Sequence, residues 1–480
     1  MKLSELFEGT ECNVYGEDVE ITNLSINSNK LQPGALFICL QGIRFDGHDF
    51  AQAAVNNGAV AVMCERPLEV DEAVTVVIVE NSRKAMSLIA SRFCGSPAQK
   101  LCIIGVTGTN GKTSSVFYLA KILRENGRTV GIIGTTGAYV NDSELGIRYA
   151  TSTTPDAIEL HQIFSRMRMF GVSHVVMEVT SHALALNKVD GITFEAALFT
   201  NLTQDHLDFH GTLEDYFQTK LKLFGMSKIG IINADDSFAA RIPLEVSCPC
   251  VTYGIENSAG LRAENISFTS GGSSFDINGV NFHFAPAGKF NVYNILGVIG
   301  VAVHLGVPIA SLPPVVSGLT GVAGRFQSIP NKRGFSVFVD YAHSPDSLEN
   351  ILHAVREITG GKVIALFGCG GDRDTSKRPV MGQIAGELAD FCVLTSDNPR
   401  SEDPEAIIED IESGIKPTGC GYIKKADRRE AVFYAIGLAK PGDSVILAGK
   451  GHEEYQEFEN KRRIPFSDVE TAVEALRGVL

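Results

Sequence analysis

The chain has 480 residues, too many for one hydrophobic core, so two to four domains are expected. Its make-up, 44% hydrophobic and 20% charged, is that of a soluble globular protein. A formal charge of −14 argues against bulk binding of nucleic acid or anionic membrane, both of which want a basic face. A small phosphorylated substrate needs only a local cluster of donors and stays open. No segment reaches the roughly 18 apolar residues of a membrane span, and Met1 to Thr10 has no leader-like apolar run. The ten cysteines are scattered, and Cys248-Pro-Cys250 lacks C-x-x-C spacing, which predicts reduced thiols in a cytoplasmic protein.

In chain order, residues 1–98 hold short strand-like runs (Ala35 to Leu40, Val60 to Cys64, Val74 to Val79) and a helix-compatible segment, Asp49 to Asn57. From Leu101 the pattern becomes strand, Gly-rich turn, helix, strand. Leu101 to Val106 and Val130 to Ile133 are apolar runs, and Lys112 to Asn126 between them has helical spacing. The strand signal returns at His174 to Val179, Ala196 to Leu202 and Ile229 to Ala234, which predicts a parallel sheet covered by helices. Residues 251–288 read more like hairpins. After linker-like chemistry at 328–334, strands are predicted at Phe335 to Val339, Val363 to Phe367, Phe391 to Thr395 and Val445 to Leu447. The fold class is therefore α/β in three parts, 1–98, 99–328 and 329–480.

The strongest chemical signal is Gly108-Thr109-Asn110-Gly111-Lys112-Thr113-Ser114, lying between an apolar strand and an amphipathic helix. Glycines let backbone N–H groups approach phosphates, and a helix N-terminus adds a positive dipole end. Lys112 is suited to the β/γ-phosphates and the Thr113 hydroxyl to Mg²⁺. The strict spacing wants glycine at 106, where this chain has Val106. A lone Gly-rich turn is weak evidence; G-K-T in a strand–loop–helix context predicts a nucleotide site. Glu178 and Asn201 to Asp208 follow the next strands, where α/β sites are built, and a carboxylate with His206 near Thr113 suits Mg²⁺ on ATP phosphates.

The T-G-T-N-G-K-T loop resembles that of the Mur ligases and folylpolyglutamate synthases, and the Mur resemblance continues through the chain with motifs in the family's order. It implies ATP as co-substrate, Mg²⁺ held by Thr113, Glu178 and His206, and Lys220 carbamylated to help hold a second Mg²⁺. From spacing alone Lys220 reads as an ordinary helical lysine, with Lys222 as the alternative. Lys112, Glu178, His206 and Lys220 are the implied catalytic set. Asn294 resembles the family's adenine-proximal residue, and Arg325, Asp340 and Tyr341 its segments that close over ATP.

The resemblance further implies which substrates are joined. Ser28 matches a UDP contact of the family's third-step ligase, flanked by Asn27 and Asn29 where Asp and Arg are usual. Thr153, Thr154, Thr180 and Lys188 match the muramoyl-peptide contacts, with Lys188 where Arg is usual and Leu186 where Gln is frequent. Lysine keeps the charge and loses the planar fork. Asp397-Asn398-Pro399-Arg400 resembles the signature for meso-diaminopimelate, joined by Arg373, Gly449 and Glu453. Two arginines and an asparagine suit an amino acid with a carboxylate at its far end. The implied reaction is ATP-dependent addition of meso-diaminopimelate to UDP-MurNAc-L-Ala-D-Glu through an acyl phosphate, by a cytoplasmic monomer without nucleic-acid or membrane partners. The rivals are an L-lysine-adding ligase of the family, a folylpolyglutamate- or cyanophycin-type ligase, and an inactive nucleotide-binding scaffold.

Overall fold

The computed structural model describes residues 1–42, 45–147, 149, 153–269 and 272–478. Three α/β layers follow one another along the chain. The first sheet has the order Cys12–Tyr15, Thr75–Val79, Ala59–Cys64, Ala35–Ile38, Asn23–Ser25, parallel except for its first pair.

In the central sheet the strand Cys102–Thr107 lies between His174–Glu178 and Ala196–Phe199, all three parallel. These strands are apolar apart from Thr107, His174 and Glu178 at their ends, because helices cover both faces. Their C-terminal ends therefore present the Gly108 loop, Glu178 and Thr200 side by side, the usual place for a ligand in an open parallel sheet. The strand predicted to run to Leu202 stops at Phe199, because Thr200 and Asn201 turn to bond the neighbouring loop. The predicted hairpins appear as Leu261–Thr269, Gly272–Ile277 and Val280–Phe284, an antiparallel extension of the same sheet.

The third sheet has the order Gln327–Ser328, Ser336–Asp340, Ser444–Ala448, Val363–Phe367, Phe391–Thr395, Gly421–Lys425. Its edge strand takes in Ser328, which the sequence assigns to linker; a two-residue strand leaves no periodic signature. Among the described residues no helix is long and apolar enough to cross a membrane.

The first layer docks on the second through the helices Ser82–Phe93 and Ala157–Met169, with Ala157 sharing the first layer's core. His161 on the latter helix is buried, and neither ring nitrogen has a hydrogen-bond partner among the described residues. Burial pushes its imidazole down from 6.5 to about 4. Between those values the unfolded chain binds more protons, so stability is lost as pH falls from about 6.5 towards 4. At pH 5 the cost is about 2 kcal/mol. His161→Leu should flatten the fall in Tm on acidification from about pH 7 to pH 5; an unaltered slope in calorimetry would remove His161 as its cause.

Candidate active site

The Gly108 loop is braced from the strand exit beside it. Asn201 accepts from Thr109 N at 2.9 Å through its carbonyl and from Asn110 N at 2.9 Å through Oδ1, while Thr200 Oγ1 donates to Asn110 O at 2.6 Å. Gly111 has φ +83°, and a Cβ there would lie 2.1 Å from Asn294 Oδ1, so only glycine lets Asn294 sit against the loop. Asn294 is buried on the strongly apolar helix Lys289–His304. Ser114 is buried in the first turn of the helix Lys112–Glu125.

Lys112 Nζ donates to Gly108 O at 2.9 Å and Thr109 O at 2.7 Å. Lys220 Nζ donates to the same Gly108 O at 2.9 Å and lies 4.3 Å over the Tyr216 ring. Two ammonium heads thus meet at one carbonyl. Burial, aided by the Lys112 charge, holds Lys220 well below the usual lysine range; burial also lowers Lys112, against the pull of Glu178. Lys220 is thus not an ordinary solvated helical lysine, whereas Lys222 is exposed. Helical spacing explains this, since Tyr216, Phe217, Lys220, Leu221 and Phe224 share the inward face of Leu213–Gly225.

Glu178 is the hub of the site and only 1% exposed. Thr113 Oγ1 donates to its carboxylate at 3.0 and 3.1 Å, and Thr135 does so through N at 2.8 Å and Oγ1 at 3.3 Å. Thr135 Oγ1 lies 3.2 Å from Thr153 Oγ1. Thr154 Oγ1 donates to Glu178 O at 3.0 Å and lies 3.3 Å from Thr180 Oγ1. Thr113 of the Gly108 loop and Thr135 thus meet at the Glu178 carboxylate, while Thr154 holds the backbone carbonyl of the same residue and Thr153 reaches it through Thr135. Lys188 is buried and paired with Asp156 at 3.0 Å, its Nζ 3.5 Å from Thr154 O. His206 lies in a ring cluster, 4.8 Å from His182 and 6.3 Å from Tyr216 between centroids. Ser28 is buried in the first layer, and its carbonyl accepts from Asn57 Nδ2 at 2.8 Å.

A magnesium ion keeps several waters and takes few protein oxygens when it arrives with phosphates. One hydroxyl and one buried carboxylate beside a phosphate loop fit that requirement. Among the described residues no three or more His, Cys, Asp or Glu side chains gather as a free-standing metal cage.

The third layer closes on the loop. Arg325 Nη2 donates to Thr113 Oγ1 at 3.3 Å, and its guanidinium lies 4.6 Å over the Tyr341 ring. Asp340 accepts from Phe326 N at 2.6 Å and Ala342 N at 2.7 Å; burial raises its carboxyl, against Arg325. Asp346 accepts from Asn110 Nδ2 at 2.6 Å and Thr203 Oγ1 at 3.0 Å. Thr135, Asp156 and Asp346 were missed by sequence reasoning, since each acts through partners distant in the chain.

At the exits of Phe391–Thr395 and Ser444–Ala448 stand Asp397 and Gly449. The fully buried Arg428 braces both exits, donating to Ala448 O at 2.9 Å and lying 3.4 Å from Ser396 O, with Asp468 as its bidentate partner. Asp397 Oδ2 is buried and has no hydrogen-bond partner among the described residues. A Cβ at Gly449 would come within 2.5 Å of it. Asn398 Nδ2 donates to Glu453 Oε2 at 3.0 Å. Pro399 leads into Arg400, whose Nη1 donates to Gly371 O at 2.5 Å and whose Nε lies 3.3 Å from Glu457 Oε1. A methyl at Gly370 would lie 3.1 Å from Arg400 Nη1 and 3.9 Å from Arg373 Cγ, so both arginines flank one glycine. Asp397 Oδ2 lies 4.0 Å from the Arg428 guanidinium, and a carboxylate oxygen without a hydrogen bond together with Arg400 suits a ligand with an ammonium and a carboxylate.

Comparison with known proteins agrees with this arrangement. Family profiles match residues 20–94 (Mur ligase family, catalytic domain), 106–302 (Mur ligase middle domain) and 324–451 (Mur ligase, glutamate ligase domain). A curated UDP-N-acetylmuramoyl-L-alanyl-D-glutamate--2,6-diaminopimelate ligase from Caldanaerobacter subterraneus subsp. tengcongensis is 45% identical, covering 99% of each chain. A solved structure of an enzyme with that name is 33% identical over 95% of each chain, with TM-score 0.69. The MurF ligase of Thermotoga maritima in complex with ADP, 20% identical over 96% of this chain and 98% of its own, shares the fold with TM-score 0.62. With three family profiles along its length and a near full-length relative at this identity, the chain belongs to the Mur ligase family.

Proposed function

We propose that this chain is the ATP-dependent ligase that joins meso-diaminopimelate to the D-Glu carboxylate of UDP-MurNAc-L-Ala-D-Glu in the cytoplasm, acting as a monomer. The observation that carries the reading is the convergence on Glu178 of the phosphate-loop Thr113 and of Thr135, with Thr153 and Thr154 beside it. It brings a bound carboxylate up to the end of a nucleotide triphosphate. The relatives' names supply the substrates.

ATP is read as lying between the second and third layers, its phosphates on the Gly108–Ser114 loop and Lys112, with Asn294, Arg325, Asp340 and Tyr341 around the rest. Ser28 takes the UDP end of the acceptor, and Thr153, Thr154, Thr180 and Lys188 its peptide. Asp156 already neutralises Lys188, so that lysine serves as a shared point charge. Thr113, Glu178, His206 and carbamylated Lys220 would hold Mg²⁺, which supplies neutralisation of phosphate charge.

An oxygen of the D-Glu carboxylate attacks the γ-phosphorus, and the bond from that phosphorus to the β,γ-bridging oxygen breaks, leaving ADP and an acyl phosphate. The deprotonated amine of the amino acid attacks the acyl carbon, and phosphate departs from the tetrahedral intermediate with the amide formed. Approach of like-charged groups requires cations fixed in advance, and Lys112 and Arg325 supply them. Asp397 and Glu453 receive the ammonium of the incoming amino acid; Arg400, Arg373 and Asn398 receive its far carboxylate. Phosphate release from ATP should require acceptor and amino acid together. Steady release without the UDP-linked acceptor would exclude this ligase.

A further inference from the structure

We propose that Lys450 is a positioning residue for the amino-acid substrate, its buried ammonium locking the Asn398 amide and the Glu453 carboxylate into one fixed arrangement; this rests on the amino-acid site assigned above. Lys450 is 0% exposed, and a buried ammonium persists only with acceptors close by. It has two, Asn398 Oδ1 at 2.8 Å and Glu453 Oε2 at 2.5 Å, and it lies 5.5 Å from the centre of the Tyr455 ring, within cation–π reach.

The consequence lies in the amide of Asn398. Its Oδ1 also accepts from Glu457 N at 2.8 Å, and its Nδ2 donates to Glu453 Oε2 at 3.0 Å. Turning the amide over would set its –NH₂ against an ammonium and a backbone N–H, donor against donor, and its oxygen against a carboxylate. Lys450 therefore fixes which edge of Asn398 faces a ligand. Glu453 Oε2 is engaged twice, so Oε1 and one Nδ2 proton remain for a substrate. A zwitterionic amino acid needs that pattern of acceptor and donor held still. Lys450 is itself fully buried and acts through these two neighbours.

The flanking glycines make the test sharp. A Cβ at Gly449 would meet Asp397, whereas one at Gly451 would lie 2.6 Å from Tyr341 Cβ, on the nucleotide side. A purely structural lysine would disturb both sides when removed. Lys450→Met and Lys450→Gln should be compared with the unmodified enzyme for the KM of amino acid, ATP and acceptor, and for Tm. We expect Lys450→Met to raise the amino-acid KM tenfold or more while the KM values of ATP and acceptor stay within twofold. Lys450→Gln, which keeps a donor towards Asn398, should fall between. An unchanged amino-acid KM, or equal rises for ATP and amino acid, overturns the proposal. If Lys450→Met does not fold, the same ratios in Lys450→Gln decide. Should the unmodified enzyme prefer another amino acid, the substrate assignment fails by itself and the same three ratios are read with that amino acid.

Discussion

Lys220→Met should lower turnover about a thousandfold, equivalent to about 4 kcal/mol of transition-state stabilisation, while leaving Tm unchanged or higher. The reason is the convergence of Lys112 and Lys220 on Gly108 O, with Lys220 only 1% exposed. Two like charges there are costly, and burial with the Lys112 charge drives Lys220 towards the free amine. A neutral, buried amine is the form that adds to carbon dioxide, giving a carbamate and releasing one proton. Carbamylation would turn the cation that repels Lys112 into an anion able to join Glu178 in holding Mg²⁺. The sign on stability follows from the same shift. Below the ordinary lysine range the unfolded chain binds a proton that the folded chain refuses, so Lys220 costs stability at neutral pH and its loss relieves that cost. Carbon-13 bicarbonate should give a carbamate signal in the unmodified enzyme and none in the variant. Near-normal turnover by Lys220→Met would defeat this reading.

Arg400→Ala should cut kcat/KM for meso-diaminopimelate about a hundredfold, or about 3 kcal/mol, while residual use of L-lysine changes little. Arg400 is held by Gly371 O and Glu457, which fixes its guanidinium beside Gly370 and next to Arg373. The two amino acids differ by the carboxylate at the far carbon. Diaminopimelate would gain charge-assisted bonds there that lysine lacks, whereas with lysine bound Arg400 would keep only its Glu457 and Gly371 partners. The side chain of Arg400 remains 23% exposed, so solvent tempers the effect and a larger penalty is not expected. Equal losses with both amino acids would mean that Arg400 supports the loop and does not read the substrate.

The parts of the site carried by local pattern were legible in the sequence. G-K-T between an apolar run and a helical one placed the phosphate loop, and the following apolar runs placed Glu178 at a strand end. Lys220 is legible too: Tyr216, Phe217, Leu221 and Phe224 mark the buried face, and Lys220 lies on it while Lys222 does not. What escaped were contacts made across the chain. Asn110 and Asp346 are 236 positions apart, and Lys450 meets Asn398 from 52 positions away. Thr135 and Asp156 sit in connecting segments whose composition fits any turn. The strand end at Phe199 was misjudged because Thr200 and Asn201 leave the ladder to bond a neighbouring loop, a tertiary demand that periodicity does not record.

The central claim is that this ligase selects meso-diaminopimelate, and the direct measurement is kcat/KM for that amino acid and for L-lysine with ATP, Mg²⁺ and UDP-MurNAc-L-Ala-D-Glu. The account predicts a preference for meso-diaminopimelate of about a hundredfold or more, from about 3 kcal/mol of distal carboxylate recognition. Comparable values, or a preference for L-lysine, would contradict it.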